Sequence, residues 1–363
     1  MKMKTRRSKP RPSPLLAVSH PGEVRIGPVL AIPTVLIELG VSPPRAFAQA
    51  GVDLRLFRDP ESRMRLSALG RLLESCVTLT HCHHFGLLVG GRFDLNGFGP
   101  LGYLMRNSAT VGEAIRSLLL HLHLHDRAAA PLLLATDSSC SLLGYSIYRH
   151  GTPGASQIYD TAITIGYKIL RELCGSSWKP LHVQFSHAEP KSAAPYLRSF
   201  RSSVIFDAAV SGIAFASSWL RRPIAGADPA LHRFVAEALR KAQADGPFNF
   251  ADQVQGVLPQ MVLDGVLSAA AVARRFAIPE RTLRRRLEAE RTTLQQLINH
   301  TRFELARQLL HNTGLTVSEI AEALQYGDTS AFSRAFRNWA KLSPKQWRAS
   351  QAARARVDAE TVS

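Results

Sequence analysis

The feature that most constrains this chain is a short helical pattern written twice within residues 268–348. The first copy reads Val272-Ala273-x-x-Phe276 followed by Leu283-x-x-x-Leu287; the second reads Ile320-Ala321-x-x-Leu324 followed by Phe332-x-x-x-Phe336. In each, a small Ala sits inside an apolar helical face, a tight turn follows, and a second helix carries apolar residues at i and i+4. A side chain as small as Ala lets two helices cross closely at a steep angle, which is the geometry of a helix-turn-helix. One copy is a weak signal, but two in so short a stretch predict two such units.

The face opposite each apolar stripe is what a partner would meet. With Leu283 and Leu287 turned inward at about 100° per residue, Arg281, Arg285 and Glu288 point outward, flanked by Thr282 and Arg284. With Phe332, Phe336 and Trp339 inward, Ser330, Arg334 and Arg337 point outward, flanked by Thr329 and Ser333. Arg donors mixed with small hydroxyl residues suit a DNA major groove, where Arg pairs with a guanine edge and Ser or Thr reaches a base or packs on a thymine methyl. A solvated basic face is the bland alternative, and the matching polarity of both copies argues against it.

Between the copies, Leu294, Leu297, Ile298, Phe303, Leu305, Ala306, Leu309 and Leu310 recur at helical spacing over 293–312, with Arg302 and Arg307 on other sides. Such a helix is a rod of ~30 Å, close to the ~34 Å of one duplex turn. It can hold two recognition helices over successive grooves. Asn312-Thr313-Gly314 stops it, and Thr316-Val317-Ser318-Glu319 predicts a capping box for the next helix. Ser268 is the expected N-cap of the first motif, with Ala271 where a capping-box Glu would stand.

These residues resemble the DNA-binding domain of the AraC/XylS family, through Leu-Ser-Ala-Ala-Ala-Val-Ala (267–273), Arg-Thr-Leu-Arg-Arg-Arg-Leu (281–287), Val-Ser-Glu-Ile-Ala (317–321), Ser-Ala-Phe-Ser-Arg-Ala-Phe (330–336) and Leu-Ser-Pro-Lys-Gln-Trp-Arg (342–348). The resemblance implies a transcription factor whose two recognition helices read a site of about 17–20 bp. It places base-reading positions on Arg281, Arg284, Arg285, Thr329, Ser330 and Arg334, and Arg337 joins them from the helical wheel. Three positions depart from the family pattern: Pro279 replaces a Ser cap, and Arg291 and Lys341 replace glycines. Pro279 can still open a helix, with Glu280 favourable in its first turn. Arg291 and Lys341 lose the easy left-handed turn of Gly, which predicts strained or extended helix ends.

Composition sets the frame for the rest. A chain of 363 residues is long enough for two domains, each with a substantial core. A net charge of +17 favours polyanionic partners, nucleic acid ahead of anionic membrane. No apolar run reaches the ~18 residues of a spanning helix, so a membrane is not an expected partner. Residues 1–24 carry Lys2, Lys4, Arg6, Arg7, Lys9 and Arg11 together with Pro10, Pro12 and Pro14, and Leu15 to Val18 is too short for a signal-peptide core. This stretch reads as a disordered basic arm. Cys76, Cys82, Cys140 and Cys174 form no Cys-x-x-Cys pair, which suits free thiols in a reducing cytosol.

From Ile32 to Arg222, apolar spacing predicts helices near 33–40, 43–50, 67–81, 110–122 and 156–174, and strands at 131–136, 141–148, 181–186, 203–206 and 213–216. Asp137-Ser138-Ser139 between the first two strands is a hairpin signal. Grouped helices and strands without repeats predict an α+β domain with a small, mostly antiparallel sheet. Pro60-Glu61-Ser62-Arg63, His83-His84-Phe85-Gly86-Leu87, Gly99-Pro100-Leu101-Gly102-Tyr103, Trp178-Lys179-Pro180-Leu181-x-Val183-x-Phe185 and Leu220-x-Arg222-Pro223 resemble the effector and dimerisation domain of one AraC subgroup. That subgroup carries an "arabinose-binding" label and includes regulators of ornithine utilisation and virulence. The resemblance implies signal reception and leaves the signal unnamed.

Two histidine clusters, His81/His83/His84 with Cys82 and His121/His123/His125, raise the question of a metal, which needs three or four ligands converging at ~2.0–2.3 Å. On a helix only His121 and His125 share a face, and the first cluster falls at a helix end, where the dipole favours His. No metal site or cofactor is expected. Neither a Gly-x-Ser-x-Gly elbow nor a phosphate-cradling loop occurs in context.

Pro223 to Pro229 forms a loop between domains, and Leu231, Phe234, Val235, Ala238 and Leu239 mark an amphipathic helix that is either a connector or part of a dimer seam. The expected organisation is a basic arm (1–24), an effector-binding and dimerisation domain (25–222), a linker with connector helix (223–255), an all-α domain of two helix-turn-helix units joined by a long helix (256–350) and a disordered tail (351–363). The expected function is a cytoplasmic, sequence-specific transcription regulator, not an enzyme. Its expected partners are double-stranded DNA, an unidentified small-molecule effector and a second copy of the chain, with RNA polymerase a further candidate. The alternatives are an enzyme or metal-binding domain fused to a DNA-targeting module, and an architectural DNA-binding protein without a sensor.

Overall fold

The computed structural model describes residues 22–350 apart from 123–124, 127, 136–138, 148–151, 209, 246–249, 264, 277 and 313–314. Most of the basic arm, the tail, His123, Asp137-Ser138 of the hairpin turn and Thr313-Gly314 after the long helix lie outside the described residues.

The N-terminal unit opens with strand β1 (Glu23–Arg25), paired antiparallel to β2 (Arg63–Arg65), with Val24 opposite Met64. Between and after them run α1 (Ile32–Glu38), α2 (Pro43–Ala50), α3 (Leu66–Thr80), α4 (Phe85–Gly91), α5 (Pro100–Arg106) and α6 (Val111–His121). Next come β3 (Ala129–Ala135), β4 (Cys140–Ile147), α7 (Ala155–Cys174), β5 (His182–Gln184), α8 (Ala194–Phe200), β6 (Ser203–Ile205) and β7 (Gly212–Ala216). The larger sheet has the order β3-β4-β7-β5-β6. Its pairs are antiparallel except β5–β6, so the expected α+β domain with a small, mostly antiparallel sheet is present. The hairpin follows too, with Ala135 opposite Ser141.

Helix α7 is the spine of this unit. Its buried Ile158, Ile163, Ile165, Ile169 and Leu170 divide between two apolar clusters, one built with α1–α3 and the other with α5, α6 and the sheet. Helix α4 crosses it closely, because Gly86 and Gly90 carry no side chain. A Cβ at Gly86 would sit 2.5 Å from the Gln157 carbonyl, and one at Gly90 would sit 2.7 Å from that of Thr161. The sequence pattern did not predict α4. Its glycines lower helix propensity, and burial against α7 supplies what propensity lacks. Helices α5 and α8 were likewise not anticipated, being only seven residues each.

The histidine-rich segment 81–84 ends α3, where His81 adopts a left-handed conformation at φ 54°. Burial pushes the Cys76 and Cys174 thiols up to about 12, so both behave as small hydrophobes.

Two helices lead out of this unit. In α9 (Pro229–Asp245), Leu239 is buried in the N-terminal core, while Phe234 is 72% exposed. In α10 (Phe250–Leu263), Phe250, Ala251, Val254 and Leu258 join the core of the C-terminal unit. That unit continues as α11 (Ala269–Arg275), α12 (Glu280–Ala289), α13 (Leu294–Asn312), α14 (Val317–Ala323) and α15 (Thr329–Ala340), followed by helical residues 344–350.

Candidate nucleic-acid interface

Helix α13 is the axis of the C-terminal unit, and each of its ends carries its own small core. Leu297 and Ile298 pack with Val272, Ala273, Leu283 and Leu287 of α11 and α12. Leu305, Ala306, Leu309 and Leu310 pack with Ile320, Ala321, Leu324, Phe332 and Phe336 of α14 and α15. The two alanines expected at the helix crossings are both 2% exposed. Nineteen residues at 1.5 Å rise make the separating rod about 28 Å long.

Each pair of helices is capped as its sequence directs. The Ser268 hydroxyl accepts from the Ala271 amide at 3.1 Å and opens α11. Thr316 and Glu319 form the capping box of α14, and the Thr316 amide bonded to the Glu319 carboxylate holds that group below the usual range. Asp328 accepts from the Ala331 amide at 2.6 Å and starts α15. Glu290, at the end of α12, accepts from the amides of Phe250 and Ala251, each at 2.7 Å, and so caps α10 from across the fold. Pro279 begins α12 without a side-chain cap. Arg291 and Lys341 take the left-handed conformation that the family fills with glycine, at φ 57° and φ 60°. Of the two expectations for these ends, strain is the one found.

Leu283, Leu287, Phe332 and Phe336 point inward, as the wheel required. Arg281, Arg284 and Arg285 on α12 are exposed, as are Ser330, Arg334 and Arg337 on α15, while Thr329 is half-buried. Among the described residues, none of these five arginines has an ion pair. Other arginines of the unit are committed to the fold. Arg307 pairs with Glu304 at 2.9 Å, and Arg302 lies 5.0 Å from the Tyr326 ring. Arg348 donates to the Leu310 carbonyl at 2.8 Å and to that of Leu315, closing the C-terminal end of α13. That bond, together with Trp347 packed against Phe336, explains the role of segment 342–348.

Thr329, Ser330, Ser333, Arg334, Arg337 and Asn338 line one groove of about 530 Å³ along α15. The α12 arginines belong to the other helix and do not enter that groove. Unpaired cations on the outer faces of two second helices, carried at opposite ends of a stiff rod, form a surface for a polyanion with two contact points.

A family model described as the arabinose-binding domain of AraC transcription regulators, N-terminal, matches residues 40–224, and one described as a helix-turn-helix domain matches residues 272–350. The chain belongs to the AraC family of transcription regulators. It is similar to the HTH-type transcriptional regulator VirS of Mycobacterium tuberculosis, 27% identical across 86% of this chain and 92% of that one. It is similar also to the ornithine utilization regulator of Pseudomonas aeruginosa, 28% identical across 88% and 94%. The solved transcriptional regulator CdpR from Pseudomonas aeruginosa aligns with 87% of this chain and 96% of its own at 22% identity and a TM-score of 0.46. As an AraC-family protein the chain is a DNA-binding helix-turn-helix regulator, and its relatives named here are regulators too.

In the AraC-type N-terminal domain, sequence reasoning named no site residues, because the groups that meet there are far apart in the chain. Arg25, His125, Asp126 and Tyr145 gather at one end of an apolar cavity of about 110 Å³ between α3, α6, α7 and the sheet, with Glu61 paired to Arg25. The Arg25 guanidinium is 4% exposed and donates to Glu61, to the Gly97 carbonyl at 2.9 Å and to His125 Nδ1 at 3.1 Å. An Arg donor to Nδ1 makes His125 a neutral acceptor there. Burial pushes Asp126 up to about 6, although the Tyr145 hydroxyl and the Ala128 amide donate to it.

A second polar group centres on Asp160 of α7, which accepts from His187 Nε2 at 3.1 Å and the Tyr196 hydroxyl at 2.8 Å. Burial raises Asp160; burial also lowers His187, but the carboxylate beside it raises it further. Among the described residues no group of three or more His, Cys, Asp or Glu could hold a metal ion. Nor does any helix searched among them have the length and apolarity to cross a membrane.

Proposed function

We propose that this AraC-family regulator reads two successive major grooves on one face of double-stranded DNA. On α12, Arg281, Arg284 and Arg285 contact the first groove; on α15, Thr329, Ser330, Arg334 and Arg337 contact the second. The observation that carries this reading is the pairing of unengaged, outward arginines on both second helices with a rod of about one duplex turn between them. Lysines and arginines neutralise phosphates and release counterions, which gives affinity. Side chains reaching base edges then add discrimination of ~1–3 kcal/mol per good contact.

The N-terminal domain receives a small-molecule effector and joins two copies of the chain in the cytoplasm, and RNA polymerase is a further candidate partner. The effector acts through different affinities for two arrangements of that domain. No catalytic role is assigned, since every relative named above is a regulator.

The test is binding of Arg334→Ala to the regulator's own site and to unrelated DNA at matched salt. Expected is a loss of ~1–3 kcal/mol on the cognate site with little change elsewhere. A uniform loss on all sequences reduces Arg334 to a phosphate contact.

A further inference from the structure

Protein interiors contain few voids larger than a water molecule, so a cavity of about 110 Å³ in the N-terminal domain calls for an account. A comparable apolar cavity of ~150 Å³ admits benzene, which sets the scale here at about one small ring. The walls are Leu69, Leu118, Leu143, Ile163, Ile169 and Ile213. Two wall positions, Gly144 in β4 and Gly166 in α7, carry no side chain. Gly166 is the more telling, since glycine inside a helix is destabilising relative to alanine. A Cβ there would meet Ile213 at 3.2 Å, a contact its neighbour could relax to accept. The glycine therefore preserves volume rather than relieving a backbone clash.

The polar end sets the ligand's chemistry. Arg25 is neutralised by Glu61 and both donors of its Nη1 are engaged by Gly97 and His125, so the guanidinium does not call for an anion. Asp126 accepts from Tyr145 and from the amides of Ala128 and Ala129. A carboxylate offers about four acceptor sites, so among the described residues one stays open for a further donor. The apolar walls would strip water from a charged ligand without replacing it.

Resting on the reading of this domain as an effector receiver, we infer that the cavity binds a compact, uncharged, mostly apolar molecule with one hydrogen-bond donor, in the size class of a phenol, its donor directed at Asp126. Strand β4 supplies Leu143 and Tyr145 to the cavity and also lies against α13, the rod of the DNA-binding unit. Occupancy therefore bears on the element that spaces the two recognition helices.

The experiment uses the full chain with phenol, toluene, benzoate and benzylamine as probes, read by thermal shift and by methyl NMR. Phenol at a hundredfold excess over its Kd should raise Tm by about 5 °C, toluene by less, and the two charged probes not at all. The Ile163, Ile169 and Ile213 methyl resonances should move and those of the C-terminal core should not respond directly. Gly166→Leu should abolish the phenol shift. Where that variant does not fold, the methyl map of the unaltered chain decides. No shift with phenol or toluene, a shift with either charged probe of equal size, or phenol-responsive methyls lying elsewhere each overturns the assignment. Phenol that moves the cavity methyls but leaves DNA affinity unchanged supports the cavity site and defeats the effector reading, while DNA binding stands apart from both.

Discussion

Lys341 and Arg291 show how single residues trade backbone comfort for charge. Both end a helix in the left-handed region, which costs a residue with a Cβ roughly 1 kcal/mol. Lys341 recovers part of this by donating from Nζ to the Asn338 carbonyl at 3.1 Å. Lys341→Gly should raise stability by about 0.5 kcal/mol, seen as a higher Tm, and should weaken binding to DNA of any sequence as one cation is lost; a lower Tm would show that the side chain's bond outweighs the strain. Asp126 supplies a residue-level pH dependence. Its folded value, raised from 3.8 to about 6 by burial, means that the native state holds a proton the unfolded chain has released. Its contribution to stability is therefore fullest below about pH 4, declines as pH rises towards 6 and is flat above. The stability difference between the parent and Asp126→Asn, followed by denaturant melts from pH 4 to 7, should change by up to about 3 kcal/mol in favour of the variant. A difference independent of pH would mean that Asp126 keeps its ordinary value.

Helices α11–α12 and α14–α15 show what an element needs in order to be both legible and functional. Their apolar positions were readable because each helix has one buried face, and Leu283, Leu287, Phe332 and Phe336 all lie where a period of 3.6 puts them. Ala321 is 2% exposed at a helix crossing, so Ala321→Leu forces α14 and the core around Phe332 apart. The expected cost is ~1–3 kcal/mol, with loss of sequence-specific binding before loss of helical circular dichroism. Unchanged stability would show that the crossing is looser than its burial implies. Helix α4 is the contrasting case. Its glycines make sense only beside α7, a partner some seventy positions later that supplies the Gln157 side chain to the Gly86 amide at 2.8 Å.

At the scale of the molecule, a net charge of +17 and the proposed two-point DNA surface predict a steep salt dependence. Each phosphate neutralised contributes about −0.9 to the slope of log K against log salt. Removing Arg281 or Arg337 should flatten that slope by about one unit if the side chain lies on a phosphate, and leave it unchanged if the side chain reads a base. The domains are not beads on a string. Leu239 of α9 is sealed into the N-terminal core, Phe250 of α10 into the C-terminal one, and α10 also lies against α6 and β3. A fragment of residues 250–350 should therefore bind the same site as the full chain but lose any response to an effector. Identical behaviour of fragment and full chain, with and without ligand, would remove the switch.

The sequence by itself determined the helix-turn-helix pair, its caps at Ser268 and Thr316, the rod between the units, the outward arginines and the strands of the mostly antiparallel sheet. All of these follow from local periodicity and capping chemistry, which act over one or two turns of chain. Only the tertiary structure decided that Arg25, His125, Asp126 and Tyr145 meet at one cavity, that Gly86 and Gly90 admit α7, and that Asp160 is held by His187 and Tyr196. Those contacts join residues tens of positions apart, and burial, not local pattern, gives such groups their partners and their proton affinities.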